Sequence, residues 1–346
     1  MPETFRVGLT RDFLKPDGAL SLGDIGLGLL DDAPGVERVF LPDDVAELRP
    51  RDLADLDAVL VLAPRVTAAS LAGAERLAIV ARFGVGYENV DVDACTANGV
   101  VLTITPDGVR RPVATAVLTL MLALSHKLLI KHSLTRDGRF ADKLDHMGMG
   151  LTGRTLGVIG LGNIGRDIFT LAGPLEMRHL TFDPWITPEQ ARAGGADLVD
   201  LETLLRESDI VSVNCPLTPE THHLLNAERL ALMKPNAYLI NTARGPIIDQ
   251  RALYVALRDK KIAGAGLDVF DPEPPDPSDP ILALDNVILA PHGICWTDEC
   301  FLNNGSSACR SILEIAAGRV PNFVVNRDVI TTPAFAGKLQ RYAARA

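Results

Sequence analysis

Two side chains in this chain stand out for the chemistry their types allow. His292 lies in Ala290-Pro-His-Gly293, and Arg244 lies in Asn241-Thr-Ala-Arg-Gly245. Histidine is the side chain that both gives and takes a proton near neutral pH. A planar arginine fork matches a carboxylate through two parallel hydrogen bonds. Together they suit a reaction at a carbonyl beside a carboxylate. A hydride that reaches such a carbon leaves an alkoxide, and the alkoxide needs a proton. A third segment, Gly266-Leu-Asp268 through Glu273-Pro-Pro, adds three carboxylates, Asp268, Asp271 and Glu273.

Hydride chemistry needs a carrier, and Thr155-Leu-Gly-Val-Ile-Gly160-Leu-Gly162-Asn163-Ile164-Gly165-Arg carries the GxGxxG pattern of a dinucleotide loop. An apolar β-branched run precedes it and an apolar-periodic helix follows, which is the context the pattern requires. Gly160 permits the tight turn, Gly162 lets backbone approach a pyrophosphate, and Gly165 lets helix and strand pack closely. Asn163 and Ile164 open the helix, whose free N–H groups and positive dipole end favour phosphate. Asp183 follows Gly165 by 18 residues at the end of the next strand. That is near the spacing of an acid that hydrogen-bonds the adenosine ribose, and a carboxylate there repels a 2′-phosphate. NAD is thus favoured over NADP. A strand-end aspartate capping a turn, or a fold for S-adenosylmethionine, meets the same local pattern.

The elements that position these residues form two series of short apolar runs alternating with amphipathic segments, the mark of parallel sheets with crossover helices. The first series predicts strands at Phe5–Leu9, Val36–Leu41, Ala58–Leu62, Leu77–Ala81 and Val100–Thr103, with helices at Leu20–Leu30 and Ala68–Ala74. The second predicts strands at Thr155–Ile159, His179–Phe182, Ile210–Asn214, Ala237–Asn241, Gly264–Asp268 and Val287–Ala290. A long helix, Pro112–Lys131, stands between the series, with Pro112 suited to a first turn. A last helix runs from about Asp298 to Ala317, and a polar, Ala-rich tail begins at Thr331. The expected fold class is α/β. Two Rossmann-like or flavodoxin-like domains have parallel sheets, with the cofactor domain (105–296) inserted in a discontinuous substrate domain (1–104 and 297–346). A cleft between them is the expected ligand site.

Composition narrows the classes. The chain has 346 residues, 47% hydrophobic and 23% charged, with a net charge of −10. The acidic balance argues against a nucleic-acid partner. Five cysteines without a CxxC fit reduced thiols in a cytoplasm better than disulfides or a zinc site, so no metal is expected. Met1–Thr10 reads as a strand, not a signal peptide. The apolar run Val113–Ser125 is too short to span a bilayer. It reads as a buried helix, and no membrane partner is expected.

With these segments in view, the sequence resembles the D-isomer-specific 2-hydroxyacid dehydrogenases. Further motifs carry the resemblance: Arg82-Phe-Gly84-Val85-Gly86-Tyr-Glu-Asn-Val-Asp91, Arg136-Asp-Gly-Arg-Phe140, Leu151-Thr-Gly-Arg-Thr-Leu156 and Cys215-Pro216-Leu-Thr-Pro-Glu-Thr221. It runs from about Ala58 to Thr297. The resemblance implies an NAD-dependent enzyme acting on a small D-2-hydroxy acid or 2-keto acid, such as glyoxylate, hydroxypyruvate or a sugar acid. It implies that Arg244 holds the substrate carboxylate, that His292 exchanges the proton, and that Glu273 hydrogen-bonds His292 and favours its charged form. The backbone amides of Gly84, Val85 and Gly86 would grip the carboxylate. Asp268, the Cys215-Pro216 turn with Thr221, and Thr242, Ala243 and Gly293 would line the cofactor site. The family also contains NAD(H)-binding corepressors with little turnover, the alternative reading. A homodimer is expected from the apolar surface of Val113–Ser125.

Two departures are visible. The family has an acid early in the interdomain helix, where this chain has Thr115, and it often has an aspartate where this chain has Tyr87-Glu88. Trp296 follows His292 at a spacing that places it over a substrate. Arg65, Arg82, Arg110 and Arg111 are candidates for a distal phosphate or second carboxylate.

Overall fold

The computed structural model describes residues 4–344. The chain divides into two compact units, one of Met1–Val109 with Trp296–Ala346 and one of Arg110–Cys295.

The first unit holds a five-stranded parallel sheet of β1 (Phe5–Leu9), β2 (Val36–Phe40), β3 (Ala58–Val61), β4 (Ile79–Arg82) and β5 (Val101–Thr103), in the order β2-β1-β3-β4-β5. Every residue of β3 is buried. Ala58 and Leu60 join one apolar cluster and Val59 and Val61 the other. An unbroken apolar run is what a strand covered on both faces requires.

The second unit holds a seven-stranded parallel sheet. Its strands are β6 (Thr155–Ile159), β7 (Arg178–Phe182), β8 (Asp197–Leu198), β9 (Ile210–Val213), β10 (Tyr238–Asn241), β11 (Gly264–Leu267) and β12 (Val287–Leu289). Their order is β12-β11-β10-β9-β6-β7-β8. Tyr238 and Ile240 of β10 face one core cluster and Leu239 the other, the two-residue period of a strand. The strand order reverses between β6 and β9, the switch point at which such sheets bind ligands beyond their carboxyl ends.

Several expected helices differ. The segment Leu20–Leu30 is helical only at Gly28–Asp31, because Gly23 and Gly26 adopt φ of 72° and 73° and break the pattern. Ala68–Ala74 forms turns. The Thr67 and Ser70 side chains hydrogen-bond each other's backbone N–H there, which competes with a helix. The long helix begins at Pro106, not Pro112, and ends at Ser125. Pro112 is internal, and the partner its missing N–H would have had is the carbonyl of Gly108. Lys127, at φ 50°, breaks the helix before a second one, Leu128–Arg136. The tail is helical over Pro333–Ala343: Thr332 caps this helix, which buries Phe335, Lys338 and Tyr342. The two-residue strand β8 was too short to leave a pattern.

The Pro106–Ser125 helix is long and apolar enough by composition to cross a membrane, but 56% of that window is buried in the protein. Ala114, Val117, Leu120, Met121 and Leu124 pack with Leu156, Val158 and Ile240 of the second sheet. The helix therefore packs these apolar side chains into the core, while Leu122 on the same helix is exposed.

Candidate active site

Most of the candidate residues fall on loops at the carboxyl ends of the strands of the second unit. The glycine loop follows β6. Gly160 has φ 94°, and a Cβ there would come within 2.9 Å of the Cys215 amide nitrogen on the loop after β9. Only glycine lets these two loops touch. Gly162 caps the helix Asn163–Ala172, and a Cβ on it would meet nothing within 4 Å. The loop is thus closed on the sheet side and open at Gly162.

Asp183 ties this loop to the next. Its Oδ2 accepts from the Leu161 amide at 2.9 Å and its Oδ1 from the Trp185 amide at 2.9 Å. The turn-capping role and the ribose role are compatible, since each carboxylate oxygen keeps a further lone pair. On the opposite side of β6, Thr221 Oγ1 donates to Pro216 O at 2.7 Å and accepts from the Thr218 amide at 2.7 Å. These bonds pin the Cys215–Thr221 turn. Burial pushes the Cys215 thiol up to about 11, so it does not act as a thiolate.

After β10, Asn241 accepts from the Ala243 amide at 3.0 Å and donates to Arg244 O at 2.9 Å, which folds the backbone around Thr242. Arg244 Nη1 donates to Ala243 O at 2.7 Å. A Cβ on Gly245 would collide with Phe270 O, so the loops after β10 and β11 meet only because this residue is glycine.

After β11 and β12 come the carboxylates and the histidine. His292 Nδ1 lies 2.6 Å from Glu273 Oε1. An ionised carboxylate only accepts, so Nδ1 carries the proton. Both side chains keep access to solvent, at 45% and 34% exposure. Asp268 is buried. Its Oδ1 accepts from the amides of Gly293 at 2.9 Å and Ile294 at 3.1 Å. Burial raises its pKa, and the two amides pull the other way. Asp268 Oδ1 and the Gly293 amide thus hold the loop after His292.

Dinucleotide recognition can be tested against this geometry. Thr242 Oγ1 is buried with no hydrogen-bond partner among the described residues. An orphaned hydroxyl costs energy unless a ligand completes it. The open side of Gly162, the N-terminus of a ten-residue helix and the Asp183 carboxylate supply the pyrophosphate and ribose contacts such a ligand needs. The residues present fit NAD.

Gly84, Val85 and Gly86 belong to the first unit. The Gly84 amide donates to Thr105 Oγ1 at 2.9 Å, and Thr105 Oγ1 donates to the buried Asn304 Oδ1 at 2.6 Å. Gly84 is therefore engaged. The amides of Val85 and Gly86 have no protein acceptor among the described residues. Sequence reasoning missed Thr105 and Asn304. They lie far from the loop in sequence, and nothing local marks them.

Each of the four candidate arginines has partners within its own unit. Arg65 pairs with Glu47 at 3.8 Å, and Arg82 donates to Asn89 Oδ1 at 3.3 Å and to Phe83 O. Arg110 and Arg111 lie 3.6 and 3.1 Å from the buried Asp167, on the glycine-loop helix. A lone buried carboxylate is costly, so these two arginines neutralise it. Thr115, where an acid was expected, returns its hydroxyl to Arg111 O and Pro112 O of its own helix. Trp296 is exposed in the first unit, and its ring meets Phe301 at 5.5 Å.

Comparison with known proteins follows the same lines. Residues 118–293 match the family model described as D-isomer specific 2-hydroxyacid dehydrogenase, NAD binding domain. A glyoxylate reductase of Thermococcus litoralis is 37% identical over 80% of this chain and 86% of its own length. A D-3-phosphoglycerate dehydrogenase of Methanocaldococcus jannaschii is 38% identical over 83% of this chain, which spans 55% of that longer protein. Among solved structures, the D-lactate dehydrogenase of Aquifex aeolicus complexed with NAD and lactic acid is 27% identical. It superposes with a TM-score of 0.78 over 92% of this chain and 99% of that one.

Proposed function

The chain belongs to the D-isomer-specific 2-hydroxyacid dehydrogenases, and from that premise we propose the roles of its residues and its substrate class. It is an NAD-dependent oxidoreductase acting between a small D-2-hydroxy acid and the matching 2-keto acid. The corepressor reading gains no support, since the relatives above are all named as enzymes.

The observation that carries the reading is the His292–Glu273 pair. With Nδ1 committed to Glu273, Nε2 is the nitrogen left to exchange a proton with the substrate oxygen. Bound NAD supplies the hydride donor or acceptor. In reduction, His292 gives its Nε2 proton to the oxygen as negative charge grows there; in oxidation it takes that proton back. Glu273 is a positioning residue: it holds the ring in one tautomer and stabilises the imidazolium. Arg244 is assigned to the substrate carboxylate, which it can hold through two parallel hydrogen bonds. The amides of Val85 and Gly86 offer further donors for the same group. Thr242, Asp183 and the glycine loop are assigned to the cofactor.

For the substrate we favour glyoxylate, hydroxypyruvate or a related sugar acid, because the relative from Thermococcus litoralis is named a glyoxylate reductase. We also assign a homodimer. Leu128, Leu129, Phe140, Leu144 and Met147 are exposed at 57, 50, 65, 76 and 74%. Such a patch marks a surface that another protein covers. A single monomeric mass by light scattering at micromolar concentration overturns that assignment. Five free cysteines suit a reducing cytoplasm, the compartment proposed.

The test is NADH oxidation against a panel of 2-keto acids, with NADPH and His292→Ala in parallel. The expected result is rapid turnover of at least one small acid with NADH and its loss in the variant. Undiminished turnover in His292→Ala removes the histidine from the proposed role.

A further inference from the structure

Trp185 is the most exposed large apolar side chain among the described residues, at 90%. Nothing in the fold accounts for it. Its backbone is nonetheless fixed: the Trp185 amide donates to Asp183 Oδ1 at 2.9 Å, while Asp183 Oδ2 holds the Leu161 amide of the glycine loop at 2.9 Å. One carboxylate therefore couples the phosphate loop to the residue that carries the indole. The strand order β9-β6-β7 sets the glycine loop between the Cys215–Thr221 turn on one side and the Asp183–Trp185 turn on the other. Leu217, in the first of these turns, is also an exposed apolar side chain. Apolar side chains thus stand on both flanks of the glycine loop.

We propose that Trp185 is the adenine-binding residue of the cofactor site, stacking its indole on the base whose ribose Asp183 holds. The inference rests on the NAD reading above and adds a residue to it. A ribose hydrogen-bonded to Asp183 carries its base one glycosidic bond away, within reach of a side chain two residues along the same turn. A flat aromatic ring is the group that recognises a purine without hydrogen bonds, and its free face is otherwise wasted on water. The turn fixes the Trp185 backbone in advance, which lowers the ordering cost of the stack.

The protein contains two tryptophans, so Trp296→Phe leaves Trp185 as the only indole. That full-length variant is titrated with ADP-ribose and, separately, with nicotinamide mononucleotide, following tryptophan emission. Calorimetry on the wild type, Trp185→Leu and Trp185→Phe then gives ADP-ribose affinities. The expected result is saturable quenching by ADP-ribose and none by nicotinamide mononucleotide. Trp185→Leu should bind ADP-ribose roughly ten-fold more weakly, with most of the affinity kept in Trp185→Phe. Equal affinity of wild type and Trp185→Leu for ADP-ribose overturns the inference and leaves the NAD reading standing. Failure of the wild type to bind ADP-ribose or NADH overturns both.

Discussion

Nδ1 of His292 and Oε1 of Glu273 stand 2.6 Å apart, although 19 residues separate them and His292 holds its backbone at φ 52°. That left-handed conformation is uncommon for a residue with a side chain. The loop after it is fastened by Asp268, which takes the amides of Gly293 and Ile294. The histidine is thus placed from two directions, by a carboxylate on its ring and by a carboxylate on the backbone that follows.

Removing the ring partner should cost less than removing the ring. Glu273→Ala is expected to lower kcat by roughly ten- to a hundred-fold, and His292→Ala by about a hundred-fold or more, because general acid–base catalysis contributes on that scale. Glu273→Asp should fall between Glu273→Ala and the wild type. Steady-state kinetics at saturating NADH decide it. A Glu273→Ala enzyme with unchanged kcat and pH profile would show that the carboxylate does not position the ring.

Gly245 tests the joint between two loops. A Cβ there collides with Phe270 O, so Gly245→Ala must push the loops after β10 and β11 apart. The expected loss of stability is about 1–3 kcal/mol, the usual cost of overpacking. The kcat/KM for the keto acid should fall further than stability explains, since Arg244 sits on the displaced loop. Urea unfolding and steady-state kinetics on one preparation give both numbers. Unchanged stability would mean that the loops yield freely.

Much of this arrangement was legible in the chain, for reasons that differ by element. Phe5–Leu9 and Thr155–Ile159 are observed with the expected bounds, because largely buried parallel strands read as short, mostly apolar runs between turn residues. The glycine motif was legible because the covalent demands of its turn and helix start are local. The Gly84–Thr105–Asn304 chain was not, because its members meet only through tertiary packing. Nor was the partnering of Arg110 and Arg111 by Asp167, since a charge reads as solvent-exposed until its partner is found. The helix expected at Leu20–Leu30 failed where glycine outweighed apolar periodicity.

Asp183 carries two backbone turns and the proposed ribose contact, so its replacement should act on the cofactor alone. Asp183→Asn removes the charge that repels a 2′-phosphate and weakens the acceptors for Leu161 and Trp185. The KM for NADH should rise roughly ten-fold, the scale of a charge-assisted hydrogen bond, while that for NADPH falls or holds. The keto-acid KM at saturating NADH should stay near the wild-type value. An unaltered ratio of kcat/KM between the two cofactors would place cofactor selection elsewhere.

The last prediction concerns stability. Lys338 is only 7% exposed, and its Nζ donates to Leu77 O at 2.7 Å and Asn98 O at 2.8 Å, fastening the Pro333–Ala343 helix to the first unit. A neutral amine has two N–H groups, which these carbonyls satisfy; the third proton of the ammonium has no acceptor among the described residues. Burial holds its pKa down at about 8, against an ordinary value of 10.5, and the nearby Arg341 adds to the effect. The folded state therefore gives up its proton near pH 8, while the unfolded chain keeps it until about pH 10.5. Between those values the unfolded state binds more protons, so this group makes the protein more stable as pH rises, and below pH 8 its cost is fully present. In Lys338→Met that contribution vanishes, along with the two hydrogen bonds. The unfolding free energy of the wild type minus that of the variant should therefore grow by roughly 2–3 kcal/mol between pH 7 and pH 10.5. Urea denaturation of both proteins at the two pH values measures it. A difference that stays constant would mean that Lys338 titrates alike in the folded and unfolded chain.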